Sequence, residues 1–356
     1  VGHEALDDNT TGYSNVAVGG NALLNATTGH NNTAVGRLSM GVGVVTGPYN
    51  TAIGRLSLQD ITSGTKNQMM GASAGENITT SSNNVAIGTD AMFTQTTATG
   101  ENIAIGNEAL RLNTSGSYNT AVGHKASYAN TTGGYNVAIG HDSMLSNTTG
   151  ITNTALGNNA LRGNTTASEN VGIGTNALYS NTTGTKNTAI GHNSLDANTT
   201  ASFNTAVGSD ALGANTTGAD NTAVGKNALE SNSEGTQNTA VGKNSLGTNI
   251  TTSYNTAVGW NALNSNVTNE NCAVGTSAME DNTTGARSTG IGAYCMANNT
   301  TGTKQTAVGY TALYTNTTGT LNTAVGYEAL YANTTGNNNL AVGYVAGLDI
   351  TTGSNN

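Results

Sequence analysis

Four sets of residues in this chain have types and spacings that could do chemistry. Gly71-Ala72-Ser73-Ala74-Gly75 has the G-x-S-x-G pattern of a nucleophile elbow. That chemistry needs a strand-to-helix turn and His and acid partners for the serine. His124 and His141 stand 17 residues apart, a spacing at which two imidazoles could share a divalent metal if a third ligand joined them. Tyr310, Tyr327 and Tyr344 repeat at the same interval, Tyr314 and Tyr331 form a second pair, and Trp260 falls on the first series. Such aromatics offer an apolar face and a polar tip to a glycan or a protein receptor. Asn-x-Thr sequons open at Asn130, Asn147, Asn181, Asn215, Asn282, Asn316 and Asn333, each an acceptor for glycosylation in a host that carries it out.

The elements that must position these residues follow from one interval. Asn221-Thr222-Ala223-Val224-Gly225 recurs along the whole chain, with closing glycines from Gly2 to Gly343. Nearly every step is 17 residues; those ending at Gly54 and Gly106 are 18, and the one ending at Gly275 is 16. A period held this long marks a repeat architecture and outranks local readings. Numbering from the opening Asn, the unit is N-T-A-V-G-x-x-A-L-x-x-N-T-T-G-x-x. It predicts an all-β, parallel β-solenoid (β-roll) of about 21 coils, roughly 100 Å long at strand spacing, running as a single domain over 1–356.

Position by position, the unit reads as two short strands and two turns. Positions 2 and 4 are β-branched or aliphatic and share one strand face, which is expected to be core. Position 3 is Ala or Gly almost throughout, with Met69 the departure. A position so uniformly small is expected to lie against a second molecule that approaches closely. Positions 8 and 9 pair a small with a large residue and are expected to form a second short strand or a corner that fills the coil. Positions 12 to 15 read as a turn, with Asn tolerating left-handed geometry and Gly supplying positive φ. Both long units gain their extra residue there, between Met40 and Asn50 and between Met92 and Asn102. Asn columns can form amide ladders and Thr columns hydroxyl ladders. So little apolar surface per coil points to chains packed side by side, a trimer being favoured.

On this frame the serine motif falls on positions 5 to 9 with no helix to follow, so catalysis is not expected. The histidines fall on position 6 of adjacent coils, with no carboxylate column to complete a metal site. The tyrosines form stacked columns at positions 6 and 10. The paired threonines of the turn, such as Thr148 and Thr149, Thr216 and Thr217, or Thr334 and Thr335, present regular hydroxyls that could order water as an ice-binding face. Cys272 and Cys295 replace small residues of the unit and make neither a disulfide framework nor a ligand cluster.

Composition excludes other classes. The net charge is −9 without a basic run, so nucleic acid is not an expected partner. No apolar stretch reaches membrane-spanning length. The single Pro48 rules out collagen and polyproline structure. The chain opens inside one motif and stops on the first residue of another, which suggests a segment of a longer protein, with a self-assembling extracellular filament subunit as the alternative.

Asn84-Val85-Ala86-Ile87-Gly88, Asn102-Ile103-Ala104-Ile105-Gly106 and Asn136-Val137-Ala138-Ile139-Gly140 resemble the N-S-V-A-I-G core of YadA-like head repeats in trimeric autotransporter adhesins. The small residue three places on (Ala91, Ala109, Ser143) also fits. Similar arrays occur in phage tail fibres and bacterial surface fibres. The resemblance implies parallel β-rolls, three chains to a head, and a surface-binding role on a cell or virion, without cofactor or enzymatic activity. The family's unit is shorter and lacks the Asn-Thr-Thr-Gly turn.

Overall fold

A computed structural model describes residues 1–96 and 100–356. By internal contacts the chain divides into Val1–Thr183 and Gly184–Asn356. Each unit is a parallel β-solenoid. The first carries ten three-residue strands, β1 (Val16–Val18) to β10 (Val171–Ile173), and the second ten more, β11 (Thr188–Ile190) to β20 (Leu340–Val342). Within each unit successive strands pair in parallel and in register, so that Thr222, Ala223 and Val224 lie beside Thr239, Ala240 and Val241. Twenty strands stand against about 21 expected coils because the first motif is incomplete. Val1 and Gly2 dock on the next coil, Gly19 N donating to Val1 O at 2.8 Å, but are too short to count as strand.

Only three residues per coil are regular strand, yet backbone bonding continues around the perimeter. In the coil from Asn221, Thr222 N donates to Asn238 O (2.9 Å), Leu229 N to Ser245 O (3.0 Å) and Ser233 N to Ile250 O (2.8 Å) on one neighbour. Gly225 N donates to Val207 O (2.8 Å), Asn227 N to Ser209 O (3.0 Å) and Gln237 N to Ala219 O (3.1 Å) on the other. Of the two readings of positions 8 and 9, a second short strand or a corner, the described residues show the corner. Those residues sit in bends whose amides still reach adjacent coils.

The bends rest on left-handed residues at positions 7, 9 and 17, as at Asn227 (φ 58°), Leu229 (φ 51°) and Gln237 (φ 56°). Left-handed geometry costs a non-glycine residue about 1–2 kcal/mol. For Leu229 full burial, worth about 1.5–3 kcal/mol, offsets that cost. The left-handed residues are thus not those expected, the asparagine at position 12 and the glycine at position 15, as Asn215 and Gly218 illustrate. Asn215 is there for its amide, and Gly218 for close approach: a methyl on Gly218 would stand 2.6 Å from Asn215 Oδ1.

Which face of the strand turns inward is the main correction. Position 3 points into the coil, Ala206, Ala223 and Ala240 being fully buried, while Thr222 is half-buried and Val224 exposed. The reason is width. A 17-residue coil doubles back on itself, so position 3 meets the large residue at position 9 inside the same stack. A methyl on Gly172 would come within 3.2 Å of Leu161 Cγ, and one on Gly290 within 3.1 Å of Met279 Cγ. Where position 9 is large, anything beyond Ala has no room there. The cover that keeps position 3 small is this chain's own leucine column, not a second molecule.

Beside the buried alanines of position 8, as Ala211 and Ala228, the interior carries two polar columns. Asn232 Nδ2 donates to Asn215 Oδ1 (2.9 Å) and to Gly235 O (3.0 Å), and Asn249 Nδ2 in turn donates to Asn232 Oδ1 (2.8 Å). The position 1 column is tied differently, Asn221 N donating to Asn204 Oδ1 (2.9 Å) and Asn221 Nδ2 to Gly235 O (2.8 Å). Buried amides are stable when their donors and acceptors are met, and stacking at one coil interval meets them. Of the long units, the insertion between Met40 and Asn50 lies outside the strands and pairs Val45 with Ala26. That between Met92 and Asn102 includes positions 97–99, outside the described residues.

Candidate functional site

Position 6 follows the closing glycine and faces outward, so side chains there repeat at the coil spacing. Aromatic rings at that interval stack. Tyr310 and Tyr327 have centroids 5.5 Å apart and Tyr327 and Tyr344 5.3 Å, with interplanar angles of 14° and 16°. Tyr314 and Tyr331 form the parallel pair at 5.4 Å. Tyr294, one residue off the column, meets Tyr310 edge-on at 6.1 Å. Between the two columns Tyr294, Tyr310, Thr311, Tyr314 and Tyr331 line a shallow groove of about 250 Å³. At its floor Thr311 Oγ1 is buried without a hydrogen-bond partner. The Glu328 carboxylate beside Tyr327 accepts its hydroxyl and holds the phenol protonated above its ordinary range. Trp260 is exposed elsewhere on the column and takes no part in the groove. Tyr294 and Thr311 escape a reading of the sequence because they occupy position 7, which varies freely from coil to coil.

The histidine pair is stacked as its spacing requires, with centroids 5.0 Å apart and 19° between planes. A third group joins it. Asp142 Oδ1 lies 3.9 Å from His124 Nδ1 and 3.6 Å from His141 Nδ1. This corrects the expectation that no carboxylate completes the pair. The third group comes not from a column of carboxylates but from a single aspartate at position 7 of the second coil.

The seven sequon asparagines, Asn130, Asn147, Asn181, Asn215, Asn282, Asn316 and Asn333, are buried. Their Nδ2 groups supply the interior ladder, as from Asn147 to Asn130 Oδ1 (2.9 Å), Asn282 to Asn266 Oδ1 (3.0 Å) and Asn316 to Asn299 Oδ1 (2.8 Å). A glycan on Nδ2 has no room in the folded coil, so these positions present no glycan face. The paired threonines divide. Thr148 and Thr216 donate their hydroxyls to Thr165 O and Ser233 O of the next coil (3.0 and 3.1 Å). Only the second column, with Thr149 and Thr217, faces solvent.

Ser73 of the G-x-S-x-G stretch follows strand β4 (Gln68–Met70) in a left-handed bend (φ 56°). No helix occurs among the described residues, so the elbow geometry is not built. Cys272 is half-buried and Cys295 fully buried, both as free thiols. Comparison with protein-family models and with curated proteins returned no match to this chain.

Proposed function

We propose that the chain is a non-enzymatic structural or adhesive shaft that associates side by side with copies of itself, three together being favoured, on a cell surface or virion. The observation that carries this reading is the outward strand face. Within each unit positions 2 and 4 place Thr, Val and Ile in columns, and Ile87, Ile105 and Ile139 in the first and Ile190, Val224 and Ile291 in the second expose more than a third of their surface. Such a face, repeated from coil to coil within a unit, is regular and aliphatic enough to pack against its own kind. Hydrogen bonding around each coil and the amide ladders supply the stiffness of a spacer.

Sedimentation equilibrium of the full chain tests it. The triple variant Ile190→Glu, Val224→Glu and Ile291→Glu changes only outward side chains and is expected to dissociate the assembly while leaving the circular dichroism spectrum unchanged. A wild-type monomer at ~100 μM, a concentration that populates associations with micromolar Kd, would sink self-association. A dimer would sink the three-fold stoichiometry.

A second reading, glycan binding, has its own observation in the groove between the tyrosine columns. Its walls are tyrosine rings, whose apolar faces and hydroxyl tips suit a sugar. Screening on a glycan array followed by titration of intrinsic fluorescence, with Thr311→Val and Tyr314→Ala as controls, decides it. Binding unaffected by both substitutions would remove the groove from consideration.

A further inference from the structure

We propose that His124, His141 and Asp142 bind one divalent transition-metal ion, which staples two adjacent coils. One ligand atom from each residue lies within 4.8 Å of the others. His124 leaves the coil after β7 (Thr120–Val122), and His141 and Asp142 the coil after β8 (Val137–Ile139). The site thus bridges coils that are otherwise joined only by their own backbone and side-chain packing.

The carboxylate is already oriented. Asp142 Oδ2 faces Arg162 Nε at 3.6 Å, which turns Oδ1 toward the two rings. That Oδ1 is buried and accepts no hydrogen bond. An acceptor left so is unfavourable, and a cation where the three donors converge removes the deficit. Zinc bonds of about 2.0–2.2 Å place tetrahedral donors about 3.4 Å apart. The carboxylate-to-ring separations of 3.6 and 3.9 Å, with all three donors within 4.8 Å of one another, close by rotation of the two exposed rings. Imidazole with one carboxylate suits zinc, nickel or copper rather than calcium or magnesium. Three protein ligands leave a position for water.

The same column contains an internal contrast. His192 has no second ring beside it, and the aspartate at position 7 of the next coil, Asp210, already accepts from Ser209 Oγ at 2.7 Å. A lone imidazole near a satisfied carboxylate is what position 6 gives without a site.

Zn²⁺ titrated calorimetrically into the full chain at about pH 7.5, where imidazole is largely neutral, tests the proposal. The expected result is a saturable one-to-one isotherm. His124→Asn and His141→Asn each weaken it at least ~10-fold, the lower end of the losses seen when a metal site loses a supporting group. Asp142→Asn does the same, and His192→Asn leaves it unchanged. The coils on either side already carry Asn107 and Asn158 at position 6, so the histidine variants keep residues this fold accepts. On the wild-type chain, imidazole proton resonances give a second measurement. Of the five histidines, only His124 and His141 are expected to shift with one equivalent of Zn²⁺. Absence of saturable binding up to ~1 mM, the weakest affinity worth a site, would overturn the proposal. So would equal shifts of His3, His30 and His192, or binding retained in the histidine variants.

Discussion

Met69 and Gly75 exchange volume inside a single coil. Met69 stands at position 3, where the chain otherwise carries Ala or Gly, and is almost fully buried. Gly75 stands at position 9, where the large residue belongs. A methyl on Gly75 would lie 3.0 Å from Met69 Sδ and 3.2 Å from Met69 Cγ. The methionine reaches from one wall of the coil into the space that leucine fills from the other. Ile78, at position 12 in place of the ladder Asn, closes the remaining gap, its Cδ1 also 3.0 Å from that methyl.

A double-mutant cycle at this pair is the sharpest check on which strand face is inside. Gly75→Leu alone overpacks the coil and is expected to cost about 1–3 kcal/mol. Met69→Ala alone leaves a cavity and is expected to cost about 2–5 kcal/mol. Together they recreate the preceding coil, which carries Ala52, Leu58 and Ile61, and the two losses are expected to cancel in large part. Urea unfolding of the four proteins gives the coupling energy. Additive losses would mean that the two side chains do not meet.

The two glycines of the unit are expected to answer differently to the same substitution. Gly225 has φ +131°, and a methyl on it would stand 2.7 Å from the backbone C and O of Gly242. Both the conformation and the neighbouring coil refuse a side chain, and neither obstacle can move without breaking the stack. Gly225→Ala is expected to cost about 3 kcal/mol or more, as strain and displacement add. A methyl on Gly218 would lie even closer to backbone, against Gly235 O, but its φ is not left-handed, and Ala167 and Ala201 occupy the same position in other coils, which shows that the stack accommodates that contact. Gly218→Ala is expected to cost less than about 1.5 kcal/mol, within the range of tolerated small changes. Thermal denaturation of the two variants compares them directly, and an equal loss would refute the distinction.

The period, the parallel in-register stacking and the amide ladders are all legible in the sequence, because identical residues at a constant interval must lie beside one another. The inward face is not. Alternation along Thr222-Ala223-Val224 says that two faces differ but not which is covered, and β-branched residues serve an outward strand face as well as a core. The readable clue is Met69 with Gly75, a joint departure within one coil that fits contact between positions 3 and 9, although Ser127 and Gly347 are also small at position 9 beside Ala121 and Ala341. The histidine pair is legible from its spacing. Asp142, Tyr294 and Thr311 are not, because each sits at position 7. That position is selected for a left-handed bend, and its side chain carries no repeated signal.

Cys295 gives the chain a pH-dependent component of stability. It fills position 8, fully buried beside the inward column, and burial pushes its thiol from the usual 9.0 up to about 12. A thiol with a raised pKa stays protonated in the folded chain at a pH where the unfolded chain has lost the proton. The contribution is therefore complete below about pH 9 and declines as pH rises toward about 12, at up to about 1.4 kcal/mol per pH unit. Replacement by Ala, which most coils carry at this position, removes that slope without opening a cavity larger than the sulfur. Denaturant unfolding between about pH 8 and pH 11, which brackets the unfolded thiol, is expected to show Cys295→Ala losing stability less steeply than wild type. Native-state labelling by a thiol reagent is expected to be slow at Cys295 and faster at the half-buried Cys272. Parallel pH profiles for the two proteins would mean that the thiol ionises as readily folded as unfolded, and that position 8 is not sealed from water.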